Sequence, residues 1–416
     1  MKAILDRYRN IERHIWLIII AELFVQLTNS SFFLLLNYYM LKEGYADYTI
    51  AKFVKVRFLA VMLLAFPIGL FIKGRKLQPI FTIGMIAVPL MSFLIIYAIK
   101  AQAHQLLYIG MMLWGVSFSL VRITLLPYVV LNAKPETHSE VFALTFQTWS
   151  IGTIVVGIST YLLSNFASFP FDERSLLLMF AGIGMVGGFF VLSIRKKEVL
   201  SEKIHILDTW NAYDWGLIRM VVTPTLIIAV GAGFTIPFIN LFFESVHNID
   251  SAEFSLMGSA TYILVSFGVF FIPAIKRRFG YHIAITLFQS LAVFALIMMA
   301  TTEWYKHLPI AIGIAVFFYI MRQPLMNIAG PMTSELTLYY VGKKNRELVA
   351  ALNASIWSGS WFFSASLFQV FRQMEISYSS IFLITASLYI VGISWYFVLI
   401  QKYNKRKKDG LIEFDG

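Results

Sequence analysis

Glu22, Gln26, Asn29, Phe33 and Asn37 recur at spacings of four, three, four and four residues within one apolar run. In a helix those spacings put all five side chains on a single face. An ionisable group at the centre of a membrane span costs about 2.5–3.5 kcal/mol, so it must be protonated, paired or turned toward a watered cavity. Of the fifteen Glu, only Glu22 lies well inside such a run. Glu244 and Glu335 fall toward run ends, and the eight Asp (6, 47, 172, 208, 214, 250, 409 and 415) fall in polar stretches. The chemistry open to a lone intramembrane acid is reversible protonation.

Arg122 and Arg322 also interrupt apolar runs. An arginine facing Glu22 favours the charged carboxylate while burial disfavours it, so solute or water can tip the balance. Arg322, followed by Gln323 and with Asn327 nearby, has no mid-run acid in its half of the chain. An unpaired guanidinium attracts anions and holds a carboxylate or phosphate through two parallel bonds. Its structural alternative is a contact to carbonyls freed at Pro324 and Pro331. Gly231, Gly233 and Pro237 lie within seven residues and predict a broken helix, with Gly233, Pro237, Asn240 and Glu244 on one face. Trp149, Phe318, Tyr319, Trp357, Trp361 and Phe362 add aromatic surface for solute contact or for packing.

Membrane spans must position these side chains. The 416 residues are 58% hydrophobic and only 14% charged, with mean hydropathy +0.72, where a soluble protein carries about a quarter charged residues. A soluble enzyme and a disordered module are excluded. Twelve runs are long enough to cross a bilayer as helix: 14–38, 50–72, 77–99, 105–131, 139–164, 174–194, 216–244, 253–275, 280–301, 308–338, 346–371 and 377–401. The first follows a charged opening and runs too long for a signal peptide, so it is read as a retained span.

With the N-terminus in the cytoplasm, 23 Lys and Arg flank the spans on that side. Only Lys42, Lys52, Lys100, Arg174, Lys306 and Arg372 lie in the opposite connections. This asymmetry predicts a multi-pass protein of the inner or plasma membrane with both termini cytoplasmic. It also accounts for the net charge of +11 without nucleic acid. The absence of cysteine excludes disulfides, thiolate metal sites and cysteine nucleophiles. An intramembrane aspartyl protease needs two mid-span Asp, and an intramembrane zinc protease or acyltransferase needs a buried His. The seven His all fall at run edges or between runs. No enzyme activity, metal or cofactor is expected.

The longest polar stretch between runs divides the chain into 1–194, a linker at 195–215, 216–401 and a basic tail at 402–416. The halves echo each other. Ile72-Lys73-Gly74-Arg75 recurs as Ile275-Lys276-Arg277-Arg278, Arg122 with Pro127 recurs as Arg322 with Pro331, and Trp149-Ser150 recurs as Trp357-Ser358. Internal repeats of this kind are typical of transporters.

With these features the chain resembles the major facilitator superfamily over nearly its whole length. Gly69-Leu70-Phe71-Ile72-Lys73-Gly74-Arg75-Lys76 is similar to that family's Gly-x-x-x-Asp-x-x-Gly-Arg-Arg loop motif, with Lys73 where Asp is usual. Pro273 to Gly280 is a second partial copy. The resemblance implies an all-α membrane protein of twelve transmembrane helices in two pseudo-symmetric six-helix bundles, with helices one and four lining a central cavity. Drug antiporters of the family carry an arginine early in helix four, where Met112 stands here, and many proton antiporters carry a Gly-Pro pair in helix five, which has Gly152 and Gly157 instead.

The reading is therefore a secondary active transporter of a small organic solute, anionic or zwitterionic by slight preference, working by alternating access and coupled to protons. Glu22 and Arg122, each about 12–14 Å deep from the cytoplasmic side at 1.5 Å per residue, are the expected coupling pair. Gln26, Asn29, Phe33, Arg122, Trp149, Asn240, Arg322, Gln323, Asn327, Trp357 and Trp361 are the expected solute contacts. One lone Glu suits a proton better than an oxygen cage for sodium, and no Gly-x-x-x-x-Gly-Lys-Ser/Thr loop supports ATP coupling. The alternatives are an exporter of amphipathic compounds and a receptor or lipid-handling protein without coupled flux. The expected partners are the solute, protons and the bilayer, with the chain acting as a monomer.

Overall fold

A computed structural model of the chain describes residues 9–72, 74–167, 171–195, 198 and 213–410. Lys2, Arg7, Lys73, most of the 195–215 linker and residues 411–416 of the tail lie outside the described residues. Helices account for almost everything described, and no strand occurs among those residues. In chain order they are α1 (Arg13–Lys42), α2 (Asp47–Phe71), α3 (Leu77–Lys100), α4 (His104–Asn132), α5 (His138–Phe166), α6 (Glu173–Leu192), α7 (Trp215–Thr235), α8 (Ile239–His247), α9 (Ser251–Tyr281), α10 (Phe288–Thr301), α11 (Pro309–Val341), α12 (Lys343–Gln373) and α13 (Tyr378–Lys408). Among the described residues, nine helical segments are long and apolar enough to cross a membrane, α7 and α8 forming one of them. The further helices α2, α9 and α12, of 25, 31 and 31 residues, occupy three other segments read as spans.

The chain divides into two compact units, Met1–Ile204 with Ile249–Ser259 and His205–Asn248 with Ala260–Gly416. Within the first, α1 packs on α5 and α6, while α4 packs on α2 and α3. Small residues allow the close crossings that lipid-embedded helices need. A Cβ on Gly152 of α5 would stand 3.2 Å from the Gln26 carbonyl of α1, and one on Gly115 of α4 would stand 2.5 Å from the Arg57 carbonyl of α2. Polar side chains bond from α1 to both its neighbours, Thr28 Oγ1 donating to the Phe180 carbonyl of α6 at 3.1 Å and Ser30 meeting Thr153 of α5 at 3.1 Å. Such bonds contribute on average about 0.6 kcal/mol each in a membrane. Gly115→Ala is expected to lower the melting temperature of the purified protein, because overpacking against backbone costs about 1–3 kcal/mol. An unchanged melting curve would show that α2 and α4 have room to separate.

In the second unit α7 packs on α12 and α13, and α10 packs on α11 and α13. The predicted break is present. The helix stops at Thr235, passes through a single 3₁₀ turn at Ile236–Phe238 and resumes as α8. Pro237 lacks an amide hydrogen and its ring clashes with the carbonyl four residues back, so the regular ladder cannot continue. Gly231 and Gly233 let α13 and α12 close on the segment just before the break. A Cβ at Gly231 would lie 2.9 Å from the Tyr389 ring, and one at Gly233 would lie 2.7 Å from Ser364 Cβ. The loosened backbone is held from the neighbouring helices: Thr385 Oγ1 donates to the Gly231 carbonyl at 3.1 Å and Ser364 Oγ to the Val230 carbonyl at 2.7 Å.

Candidate functional site

In the first unit the α1 stripe forms a connected polar ladder. Asn29 Nδ2 donates to Gln26 Oε1 at 3.1 Å, and Gln26 Nε2 donates to Glu22 Oε1 at 3.4 Å. Arg122 of α4 reaches the same oxygen, Nη1 to Oε1, at 3.7 Å. The two ends of this pair differ sharply, because the Glu22 side chain is 0% exposed and that of Arg122 is 48% exposed. Glu22 Oε2 has no hydrogen-bond partner. An ionised carboxylate accepts bonds on both oxygens, so the partnerless oxygen is where a protonated carboxyl would carry its hydrogen. Arg122 borders a pocket lined with Leu125, Leu126, Thr145 and Phe146. One turn beyond Asn29 along the ladder, Phe33 meets Trp149 of α5 edge to face, with centroids 5.6 Å apart. Gly152 fixes the distance between α1 and α5 here, its bare Cα resting on the Gln26 backbone.

Within the pair the acid is the enclosed partner and the guanidinium is the accessible one.

In the second unit Arg322 of α11 is 1% exposed. Its Nη1 donates to Gln323 Oε1 and its Nη2 to the Tyr389 hydroxyl, each at 3.4 Å, and its Nε has no partner. Both partners are neutral and both bonds are long, which is weak compensation for an enclosed cation. The expected contact to carbonyls at the proline breaks is not among its bonds. Asn327 Nδ2 bonds the Gln323 carbonyl at 2.9 Å on the exposed side of α11. Trp357 and Trp361 of α12 contact each other at 6.4 Å, and the Trp361 backbone lies against Gly233. Asn240 is buried in the first turn of α8, where its Oδ1 accepts from the Leu241 amide at 3.0 Å. Within the second group, bonds join Arg322, Gln323 and Asn327, a ring contact joins Trp357 and Trp361, and Asn240 accepts from the Leu241 amide.

Two residues outside the predicted set belong beside it. Tyr389 carries Arg322 both through its hydroxyl and through its ring, 5.9 Å from the guanidinium carbon. One tyrosine among twenty has no distinguishing sequence signal. Arg57 of α2 places its guanidinium 4.8 Å from the Trp114 ring. A census of acids and histidines passes over it, while a census of bases inside the apolar runs includes it. Among the described residues, no three His, Asp or Glu side chains come together as a metal site.

An all-helical chain with several apolar spans that keeps a carboxyl, guanidiniums and amides inside them is built as a membrane transporter. The Major Facilitator Superfamily profile matches residues 18–365, and the chain belongs to that superfamily. It is a multi-pass membrane transporter and not an enzyme. Its fold is similar to that of a D-xylose-proton symporter, with TM-score 0.73 and 9% identity over 92% of this chain and 96% of the other. A bacterial homologue of the iron transporter ferroportin in an inward-facing state gives TM-score 0.72 and 11% identity, over 93% and 98%. The nucleoside transporter NupG gives 0.66 and 13%, over 94% and 99%. At these identities the likeness is one of fold alone. No curated protein sequence matches the chain.

Proposed function

We propose that the chain is a proton-coupled secondary transporter of a small organic solute carrying a negative charge, organised as twelve transmembrane helices in two six-helix halves, 1–194 and 216–401. The halves alternate access to a site near the midplane, and the linker at 195–215 and the tail at 402–416 are cytoplasmic. The observation that carries this reading is the enclosed carboxyl of Glu22, with one oxygen facing Arg122 and Gln26 and the other without a donor. Such a group can hold a proton in one state and an ion pair in the other. Arg322, enclosed with neutral partners only, supports the anionic character of the solute. The protein acts as a monomer in the inner or plasma membrane.

Uptake of a labelled solute into proteoliposomes, with and without an imposed pH gradient, tests the reading. Accumulation that follows the gradient is expected. Binding without flux indicates a receptor, movement of labelled lipid indicates lipid handling, and pH-driven extrusion of amphipathic dyes indicates an exporter that uses the aromatic groups at Phe33, Trp149, Trp357 and Trp361. The topology is tested separately with a cysteine at Ser201, which is clean because the chain has none of its own. An impermeant maleimide is expected to label it only after cells are opened. Labelling of intact cells would invert the orientation.

A further inference from the structure

Arg57 is the cation that the proposed mechanism leaves unused. On α2 the residues Lys52, Leu63 and Pro67 are exposed, with Val56 and Leu59 between them partly so, which marks a lipid-facing stripe at helical spacing. Arg57 lies instead with Ile50, Phe53 and Val54 on the opposite, buried sector, at i, i+3, i+4 and i+7. The α2 and α4 backbones are locked together beneath it, since Gly115 leaves no room for a Cβ above the Arg57 carbonyl. Its guanidinium carbon sits 4.8 Å from the Trp114 ring and 5.0 Å from the Phe58 ring. Trp114 is itself fixed: it is buried, its Nε1 donates to Ser92 Oγ at 3.0 Å, and its ring stacks on Phe32 of α1 at 5.7 Å and on Phe118 at 5.1 Å. A planar cation held on a rigid aromatic platform keeps its five donors free for something else.

Among the described residues no hydrogen bond or ion pair engages those donors, while Lys42 pairs with Glu173, Lys100 with Glu43 and Arg122 with Glu22. Arg57 as a residue is partly exposed. Arg57 stands seven residues into the 50–72 run and five beyond Lys52, about 8–10 Å at 1.5 Å per residue, inside a hydrocarbon core about 30 Å thick. A guanidinium at this depth, preorganised by stacking and lacking an acid, is chemically a receptor for an oxyanion.

We infer that Arg57, on its Trp114 platform, is a second anion-recognition residue that binds the carboxylate or phosphate of the solute within the first unit. The inference rests on the reading of the chain as a transporter of an anionic solute. Two probes test it on the full-length protein, inorganic phosphate and benzoate. Each is titrated against wild type, Arg57→Gln, Arg57→Lys and Arg322→Gln in neutral detergent, with melting temperature as the readout. At least one anion is expected to stabilise wild type, with the apparent dissociation constant raised about tenfold or more by Arg57→Gln and less by Arg57→Lys, which keeps the charge without the fork. If the anion stabilises wild type, Arg322→Gln removes the effect and Arg57→Gln leaves it unchanged, the Arg57 role is overturned while the anionic reading stands. If neither anion acts on wild type, both fall.

A second measurement covers an Arg57→Gln variant that does not fold. Phenylglyoxal should modify Arg57 of the wild-type protein, as located by peptide mass spectrometry, and the stabilising anion should protect it. An Arg57 that does not react, or reacts equally with the anion present, overturns the proposal. Protection by phosphatidylglycerol nanodiscs alone, without added anion, would identify a lipid headgroup as the occupant and overturn the solute role as well.

Discussion

Glu22→Gln is expected to abolish pH-gradient-driven accumulation while leaving solute counterflow and the melting temperature close to wild type. Gln keeps the shape of Glu and an acceptor for Gln26 Nε2, but it never ionises. Counterflow exchanges solute for solute with no net proton movement, so it needs only binding and the conformational change. The geometry of the pair explains why the fold should survive. Arg122 is 48% exposed and 3.7 Å from Glu22, so removing the acid's charge strands no enclosed cation. Stability should be lost from the other side. Arg122→Leu leaves an acid with 0% exposure beside the neutral Gln26 and Thr148, and removing one partner of a buried pair costs about 3–5 kcal/mol when the survivor stays charged. Exchange of the pair, Glu22→Arg with Arg122→Glu, is expected not to rescue either variant, since it moves the longer cation into the enclosed position. Wild-type accumulation by Glu22→Gln would remove Glu22 from the mechanism.

The first group of side chains was legible in the sequence because it follows from one helix. Once 14–38 is read as helical, the spacings from Glu22 to Phe33 leave no choice about the face they share, and matched depth points to Arg122. The same local logic found the break at Pro237, where missing amide and steric clash are properties of residues rather than of packing. What the sequence could not carry depends on which helix lies next to which. Nothing in it distinguishes Tyr389 as the residue that carries Arg322, nor Trp114 as the seat of Arg57. Asn240 carries a further local feature that periodicity does not show, its side-chain carbonyl accepting from the Leu241 amide. Exposure is likewise a tertiary property: spacing does not tell that Glu22 is the enclosed member of the pair and Arg122 the half-exposed one.

For Arg322 affinity and stability are expected to move in opposite directions. A structural arginine satisfied by the fold would make any substitution destabilising. Arg322 is instead 1% exposed, bonded to Gln323 and Tyr389 at 3.4 Å, and left with a partnerless Nε. An enclosed charge compensated so poorly costs the empty protein stability, and the cost is recovered when a carboxylate or phosphate bonds Nε and one Nη together. Arg322→Met, of similar length and no charge, is therefore expected to raise the melting temperature of the solute-free protein and to abolish stabilisation by an organic anion that protects wild type. Arg322→Lys retains the charge and loses the fork, so it should weaken that anion about tenfold, or about 1.4 kcal/mol, with little change in the solute-free melt. Melting curves of the three proteins, with and without the anion, separate the two roles directly. A lowered melting temperature in Arg322→Met would make the residue a structural support, and an Arg322→Lys variant with wild-type affinity would show that charge alone is read there.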